Sequence, residues 1–419
     1  EVLPPRQPTP TPVPAVEVID GVAVRELVVG AETTLPDDLV VYIQPVRWAS
    51  ESNPGLIRVY RGGDGALRRD DLFERAGDQL GPLAIVSWAA DEDFGTIVAA
   101  SCGEPICEGV ALGAWDGTFQ LVRSTDGGGT WEFFGQVSAV TFPEAIVGDE
   151  AIMREWQGRD SNDEPIERYF LHPSGTAVTP PGARTSPRNV PGIGLAWEPA
   201  IGSEDFGAQP AFDADGNVLA AVSAIPNLQP RVSARAGDGS YVGTWEYVPD
   251  RPADPHPRTT YIGIVDESGE AVALFTPGPV APWIRPAAVG NGLLLSNAEL
   301  PLPAGSNRIF YVPAVFIDLS TGRVHPLPEL FEGIDEELQP RVLGAVVGRV
   351  ARVEKPGDCA LVFPEPDDQA TPIRCYVDGV LLYDEGESRI VDGVTWVKAT
   401  TPDGFEGWAE ANGLVRRAG

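Results

Sequence analysis

Three histidines, four cysteines and a large surplus of carboxylates are the residues of this chain that could do chemistry. His172, His256 and His325 each precede a proline, a context that favours turns and strand ends. Nucleophilic catalysis needs a base held beside a serine or cysteine, and the sequence contains no Gly-x-Ser-x-Gly elbow. Glu92-Asp93 and Glu204-Asp205 could do acid/base work, but in a chain with 61 acidic residues such pairs read as solvated loops. Asp213-Ala214-Asp215-Gly216-Asn217 has a calcium-loop look. It lacks the EF-hand spacing and the terminal bidentate glutamate, so a hairpin turn is expected. No glycine loop sits between a strand and a helix to cradle phosphate. Cys102, Cys107, Cys359 and Cys375 form two sequence-local pairs, with no Cys-x-x-Cys and no histidine nearby. Zinc is therefore not expected. Two disulfides of an exported protein are, with proximity suggesting Cys102–Cys107 and Cys359–Cys375. No metal and no cofactor is expected.

Local order is written most clearly in Ser124-Thr125-Asp126-Gly127-Gly128-Gly129-Thr130-Trp131. Ser124 and Asp126 are short polar side chains that can bond backbone N–H groups in a turn. The three glycines permit a tight reversal with positive φ. Thr130 then re-enters a strand, and Trp131 can pack beneath the turn. This Ser-x-Asp-x-Gly-x-Thr-Trp pattern resembles the Asp-box (BNR) hairpin of sialidase-like β-propellers. The resemblance implies a structural role for Ser124, Asp126, Gly128, Thr130 and Trp131, at a blade periphery and away from any active site. Sialidase chemistry would need three arginines around a carboxylate, a tyrosine nucleophile and acid/base carboxylates. That family's early Arg-Ile-Pro signature is missing. Leu56-Ile57-Arg58-Val59 and Trp283-Ile284-Arg285-Pro286 are the nearest pieces, and one box stands where several are usual. The scaffold is expected, and no catalytic residue is assigned.

The elements that would carry these residues are short strands. Runs such as Leu39–Ile43, Ile57–Tyr60, Leu83–Trp88, Phe119–Ser124, Tyr241–Val248 and Ile309–Asp318 recur between Gly- and Asp-rich turns. Val110–Trp115 and Val218–Val222 read the same way. Trp48 and Trp88 lie 40 residues apart, and Trp156, Trp197, Trp245 and Trp283 are spaced by 41, 48 and 38. That is a blade-like period, so an all-β propeller of roughly six or seven blades is expected over residues 17–338.

Residues 339–419 change rhythm. Asp392-Gly393-Val394-Thr395-Trp396-Val397-Lys398-Ala399 and Asp403-Gly404-Phe405-Glu406-Gly407-Trp408 resemble a bacterial SH3-like (SH3b) barrel. Ala351-Arg352-Val353-Glu354-Lys355-Pro356-Gly357 stands where that family has Asn-Val-Arg-x-Gly-Pro. The resemblance implies a small barrel, stapled by Cys359–Cys375, with Tyr383, Trp396 and Trp408 as aromatic candidates for binding a wall peptide or protein. The same tryptophans could equally form its core.

Residues 1–16 carry prolines at 4, 5, 8, 10, 12 and 14. They fit a polyproline-II spacer. They also fit a one-edged strand, in which Thr9, Thr11, Val13 and Ala15 keep their donors on one side and dock on a neighbouring copy.

The net charge of −31 argues against a nucleic-acid partner. No run of about 20 apolar residues could span a membrane as a helix. The sequence thus points to a secreted or cell-surface bacterial protein, non-catalytic, that binds or assembles, as a homo-oligomer or filament or on a cell-wall or glycan ligand. The alternatives are a sialidase-like glycan hydrolase using a central propeller pocket, and a peptidoglycan adaptor acting through the C-terminal module.

Overall fold

The computed structural model describes residues 15–19, 22–47, 55–62, 65–102, 117–161, 165–181, 185–190, 193–199, 212–217, 228–235, 241–247, 260–265, 271–276, 281–290, 293–300, 312–334, 338–347, 349–353, 355 and 358–416. These form seven sheets, so the described residues are all-β apart from one α-helix and short 3-10 turns. Val110–Trp115, Val218–Val222, Thr9, Thr11 and Val13 lie outside the described residues. The chain divides into two compact units.

The larger unit comprises residues 35–204, 211–218 and 330–419. Its first sheet runs Leu39–Arg47, Ile57–Arg61 and Leu67–Asp71, each antiparallel to the last. The second holds Ala84–Ala90, Ile97–Cys102, Thr118–Ser124 and Glu132–Ser138. The third holds Thr141–Val147, Glu150–Arg159, Pro165–His172 and Ala177–Val178. The fourth holds Thr185–Val190, Gly194–Pro199 and Phe212–Asp213. Each is a meander, as expected of strands joined by tight turns.

These sheets pack face to face. Ile97–Cys102 is buried along its whole length, which a strand covered on both faces requires. Thr141–Val147, which opens the third sheet, packs on Ala84–Ala90 and on Thr185–Val190, which open the second and fourth. A side chain stitches the last contact: Asn189 accepts from Ile146 N at 2.7 Å and donates to Ile146 O at 2.9 Å, standing in for a neighbouring strand.

Two features of the fold were not foreseen. Leu338–Val347 belongs to the first sheet, not to the C-terminal module. It pairs antiparallel with Leu39–Arg47, from Leu338 opposite Arg47 to Val347 opposite Leu39, because its apolar residues complete that core. The module therefore starts at Arg349. Secondly, Leu72–Leu80 is a helix that a purely all-β reading omits. Asp71 caps it, its Oδ1 accepting from Phe73 N and Glu74 N, both at 3.0 Å. Leu72, Phe73 and Ala76 form its buried face.

The C-terminal module is one sheet of seven strands. Their order is Arg374–Val377, Cys359–Phe363, Glu406–Glu410, Val394–Thr400, Leu381–Val391, Arg349–Val353 and Leu414–Arg416. Among the described residues no ladder joins its two edges, so it is an open sheet where a closed barrel was expected. It folds over a core of Val353, Ala360, Val362, Tyr376, Val397 and Ala409. Cys359 and Cys375 are disulfide-bonded across its edge, with Cα atoms 5.5 Å apart.

The smaller unit comprises residues 1–34, 205–210 and 219–329. Leu228–Arg235, Tyr241–Tyr247, Thr260–Val265 and Ala271–Thr276 form one meander, and Val22–Glu26 adds to it in parallel. Ala15–Ile19 pairs in turn with Val22–Glu26. Ala281–Gly290, Leu293–Glu299, Ala314–Asp318 and Arg323–Pro326 form the other, joined in parallel by Val28–Val29.

Candidate functional site

The most organised polar chemistry in the larger unit surrounds the turn after Thr118–Ser124. Ser124 Oγ donates to Asp126 Oδ1 at 2.9 Å and accepts from Gly128 N at 2.9 Å. Asp126 Oδ1 also accepts from Thr130 N at 2.8 Å, and its Oδ2 accepts from the Thr130 hydroxyl at 2.6 Å. Both Ser124 and Asp126 are buried, so these bonds replace the water they lose. Trp131 Nε1 donates to Gly128 O at 3.2 Å, and its ring leans on Phe73 of the helix. Gln79 completes the grip: its amide donates to Gly129 O and its carbonyl accepts from Trp131 N, each at 2.8 Å. Gly128 has φ +86, a conformation that needs glycine.

A second residue ties this turn to two other segments. Arg58 is 1% exposed. Its Nη2 donates to Asp70 across the first sheet at 2.7 Å and to Gly379 O of the C-terminal module at 3.0 Å, and its Nη1 donates to Gly127 O at 3.0 Å. Burial opposes the charge, but Asp70 and the neighbouring tyrosines outweigh it and hold Arg58 protonated. The module adds its own contacts. Arg374 donates to the Thr125 hydroxyl at 3.3 Å and to Asp403 at 2.6 Å, and Tyr376 donates to Asp403 at 2.6 Å. Arg75 of the helix donates to Asp378 O at 3.3 Å. The C-terminal module covers this turn.

Beside this joint lies the turn Asp91–Gly95. Phe94 holds φ +58, and its ring stacks on Tyr42 at 3.9 Å and 4°. A side chain at Gly95 would run into the Pro402 carbonyl of the module. Asp91 Oδ2 accepts from Thr96 N at 2.8 Å, while Oδ1 is buried with no hydrogen-bond partner. Desolvation pushes the Asp91 carboxyl up to about 6, with Glu92 and Asp93 adding to it. Desolvation likewise pushes the Tyr42 hydroxyl to about 12 and raises Tyr383. A second arginine–tyrosine–carboxylate group sits in the third sheet. Arg154 pairs with Glu144 at 2.6 Å and Glu167 at 2.8 Å, and Tyr169 donates to Glu167 at 3.2 Å. Burial and Glu167 raise the Tyr169 hydroxyl too. These three phenols are held neutral, which is the reverse of what a tyrosine nucleophile needs.

Two open clefts mark the surface of this unit. One of about 600 Å³ lies between the helix and the module, lined by Arg75, Asp78, Gln79, Asp358 and Asp378. The other, about 590 Å³, is lined by Arg123, Glu132, Phe133, Asp149, Glu150 and Ser174.

The residues expected from sequence separate accordingly. Ser124, Asp126, Gly128, Thr130 and Trp131 converge in one turn. Trp396 and Trp408 are buried with Phe363 on the outer face of the module's sheet, and Arg389 lies over Trp408 at 4.5 Å. Tyr383 is half-buried and faces Tyr42, away from both tryptophans. Cys102 is disulfide-bonded, and Cys107 lies outside the described residues. Ala15 is in a strand paired within its own chain. The Asp213–Asn217 turn closes on Asp213, which accepts from Asp215 N and Asn217 N. Sequence reasoning missed Arg58 as a joint, and also Gln79, Asp91 and Asn189. Only the Leu56–Val59 stretch brought Arg58 into view.

No family model matches the chain, and no curated protein matches its sequence. Its structure is similar to that of the hydrazine synthase of Kuenenia stuttgartiensis, at 9% identity and a TM-score of 0.31, over 74% of this chain and 47% of that one. The chain thus spans about half the length of that protein. An arabinanase of Bacillus subtilis is similar at 11% identity and 0.25, over 72% and 98%. A polysaccharide lyase is similar at 10% and 0.23, over 96% and 94%. At these scores none of the three bears on fold or activity.

Proposed function

We propose that this chain is a non-catalytic, extracellular binding or assembly protein of the bacterial cell surface. In this reading the meanders are blades of a β-propeller, Ser124–Trp131 is its Asp-box, and the C-terminal module is an SH3-like domain fixed to it. The observation that carries the reading is the Arg58 joint. One buried guanidinium bonds the first sheet, the polar turn and the module together, as a rigid contact platform requires. Disulfide-bonded cysteines support an oxidising compartment. Among the described residues no helix is long and apolar enough to cross a membrane. Ala15–Ile19 ends its sheet and pairs on one side with Val22–Glu26, so self-association by strand addition would use its other side or the residues before it.

The test is an activity and binding screen of the full chain on sialosides, other glycans and isolated cell wall. Retention on one of these surfaces without release of sugar is the expected result. The second reading is a glycan-active hydrolase using a central propeller pocket. Release of sugar from any of these glycans would install that reading in place of the first. Light scattering of a chain lacking residues 1–14 tests assembly: an unchanged size removes the tail from it.

A further inference from the structure

The Asp91–Gly95 turn is where the second sheet meets both the first sheet and the C-terminal module, and it holds one of the two buried polar atoms of that meeting, with Arg58 Nε, that lack a hydrogen-bond partner among the described residues. Three independent features coincide there. Phe94 is a bulky residue at φ +58, a left-handed backbone region that favours glycine. Gly95 runs so close to Pro402 of the module that it has no room for a side chain, and its carbonyl accepts from Gly127 N of the polar turn at 2.9 Å. Asp91 holds the turn through Thr96 N, yet keeps one carboxylate oxygen buried and unbonded.

We propose that this turn is a pH-sensitive clasp for the C-terminal module: protonation of Asp91 tightens the module's seat, and ionisation loosens it. Burial and the neighbouring carboxylates favour the proton, against the Thr96 and Gly95 backbone N–H groups and the more distant Arg58 guanidinium, which favour the charge. Glu92 and Asp93 come from its own turn, Tyr42 from the first sheet with Arg58 beyond it, and Tyr383 from the module. Arg58 is already engaged by Asp70 and two carbonyls. An ionised Asp91 must bury a charge with an empty acceptor. Lifting the module away lets water reach that oxygen and relieves the cost. A proton from solvent removes the charge instead, and the closed seat is then the lower state.

The sign follows from linkage. In the closed state the carboxyl is raised from 3.8 to about 6, so closure is favoured at low pH and the advantage is lost as pH rises through that value. For an opening that returns the carboxyl to water, the opening constant rises about tenfold between about pH 5 and about pH 8.

Hydrogen exchange of the Gly127 amide in the full chain, once corrected for intrinsic exchange, reports the opening through the loss of the cover that Pro402 of the module gives to the Gly127–Gly95 bond. Wild type should lose about tenfold protection over that range. Asp91→Asn keeps an acceptor for Thr96 and carries no charge, so it should stay protected at both ends. Equal pH profiles for the two proteins would overturn the clasp. If the variant does not fold, carbon NMR of the wild-type aspartates decides: an Asp91 carboxyl titrating at the ordinary carboxylate value overturns it, and one titrating near 6 supports it.

Discussion

Arg58 and Arg154 have the same kind of neighbours and opposite circumstances. Each guanidinium has a carboxylate partner and a tyrosine close by. Arg58 is 1% exposed and reaches segments 69 and 321 residues away. The Arg154 side chain is 35% exposed, and its partners Glu144 and Glu167 lie in neighbouring strands of one meander. A buried arginine must replace its hydration shell with protein acceptors; Arg58 does so at both Nη atoms, though not at Nε, so these partners and the segments that carry them are fixed. A half-exposed arginine keeps water as an alternative, so its pairs adjust to a sheet that is already formed.

The largest expected effect follows from that contrast. Arg58→Ala leaves the half-buried Asp70 without its partner and two carbonyls without their donor. A loss of about 3–5 kcal/mol is expected, read as a shift in the denaturant midpoint. The module should also exchange its amides faster than the third sheet does. A cost below about 1 kcal/mol would mean that the joint is decoration and the comparison is wrong.

Asp91→Asn should act in the other direction. Its raised carboxyl gives stability at low pH that fades as pH rises through about 6. Removing the charge should stabilise the protein above that pH by no more than about 3 kcal/mol, and leave it nearly unchanged near pH 4. Melting curves across that range provide the reading. Asp126→Ala comes next. It strips the acceptors of the Thr130 N–H and hydroxyl in a buried turn, at a cost of about 2 kcal/mol. Because the turn sits under the module, that loss should loosen both together.

What the sequence made legible was what is short in range. The bonds from Asp126 to Ser124 and Thr130 span two and four residues, so residue types and spacing suffice to foresee them. The helix was equally readable, with Asp71 before Leu72 and Glu74 in the first turn, but nine residues are easily absorbed into a strand pattern. The pairing of Leu338–Val347 with Leu39–Arg47 has no local mark, because apolar alternation names a strand and never its partner. Trp396 and Trp408 show the same limit. Alternation puts them on the outer face of the module's sheet, and only tertiary packing with Phe363 closes that face. Arg58 was visible as a residue and invisible as a joint, since Gly127 and Gly379 contribute only carbonyls, which every residue has.

Arg154→Ala carries the smallest expected effect and tests the other arm of the comparison. Glu144 and Glu167 retain 23% and 27% side-chain exposure beside it, so both can turn to water when the guanidinium goes. Tyr169 keeps its edge-on contact with Trp197 and its bond to Glu167. The cost should therefore stay within about 1 kcal/mol and shrink as salt is added. A double-mutant cycle with Glu167→Gln isolates the pair from the packing of the arginine stem. A coupling as large as that of Arg58 with Asp70 would show that burial does not separate the two arginines. The third sheet would then need its ion pairs to fold, and the Arg154–Glu167–Tyr169 group would deserve the same scrutiny as the joint.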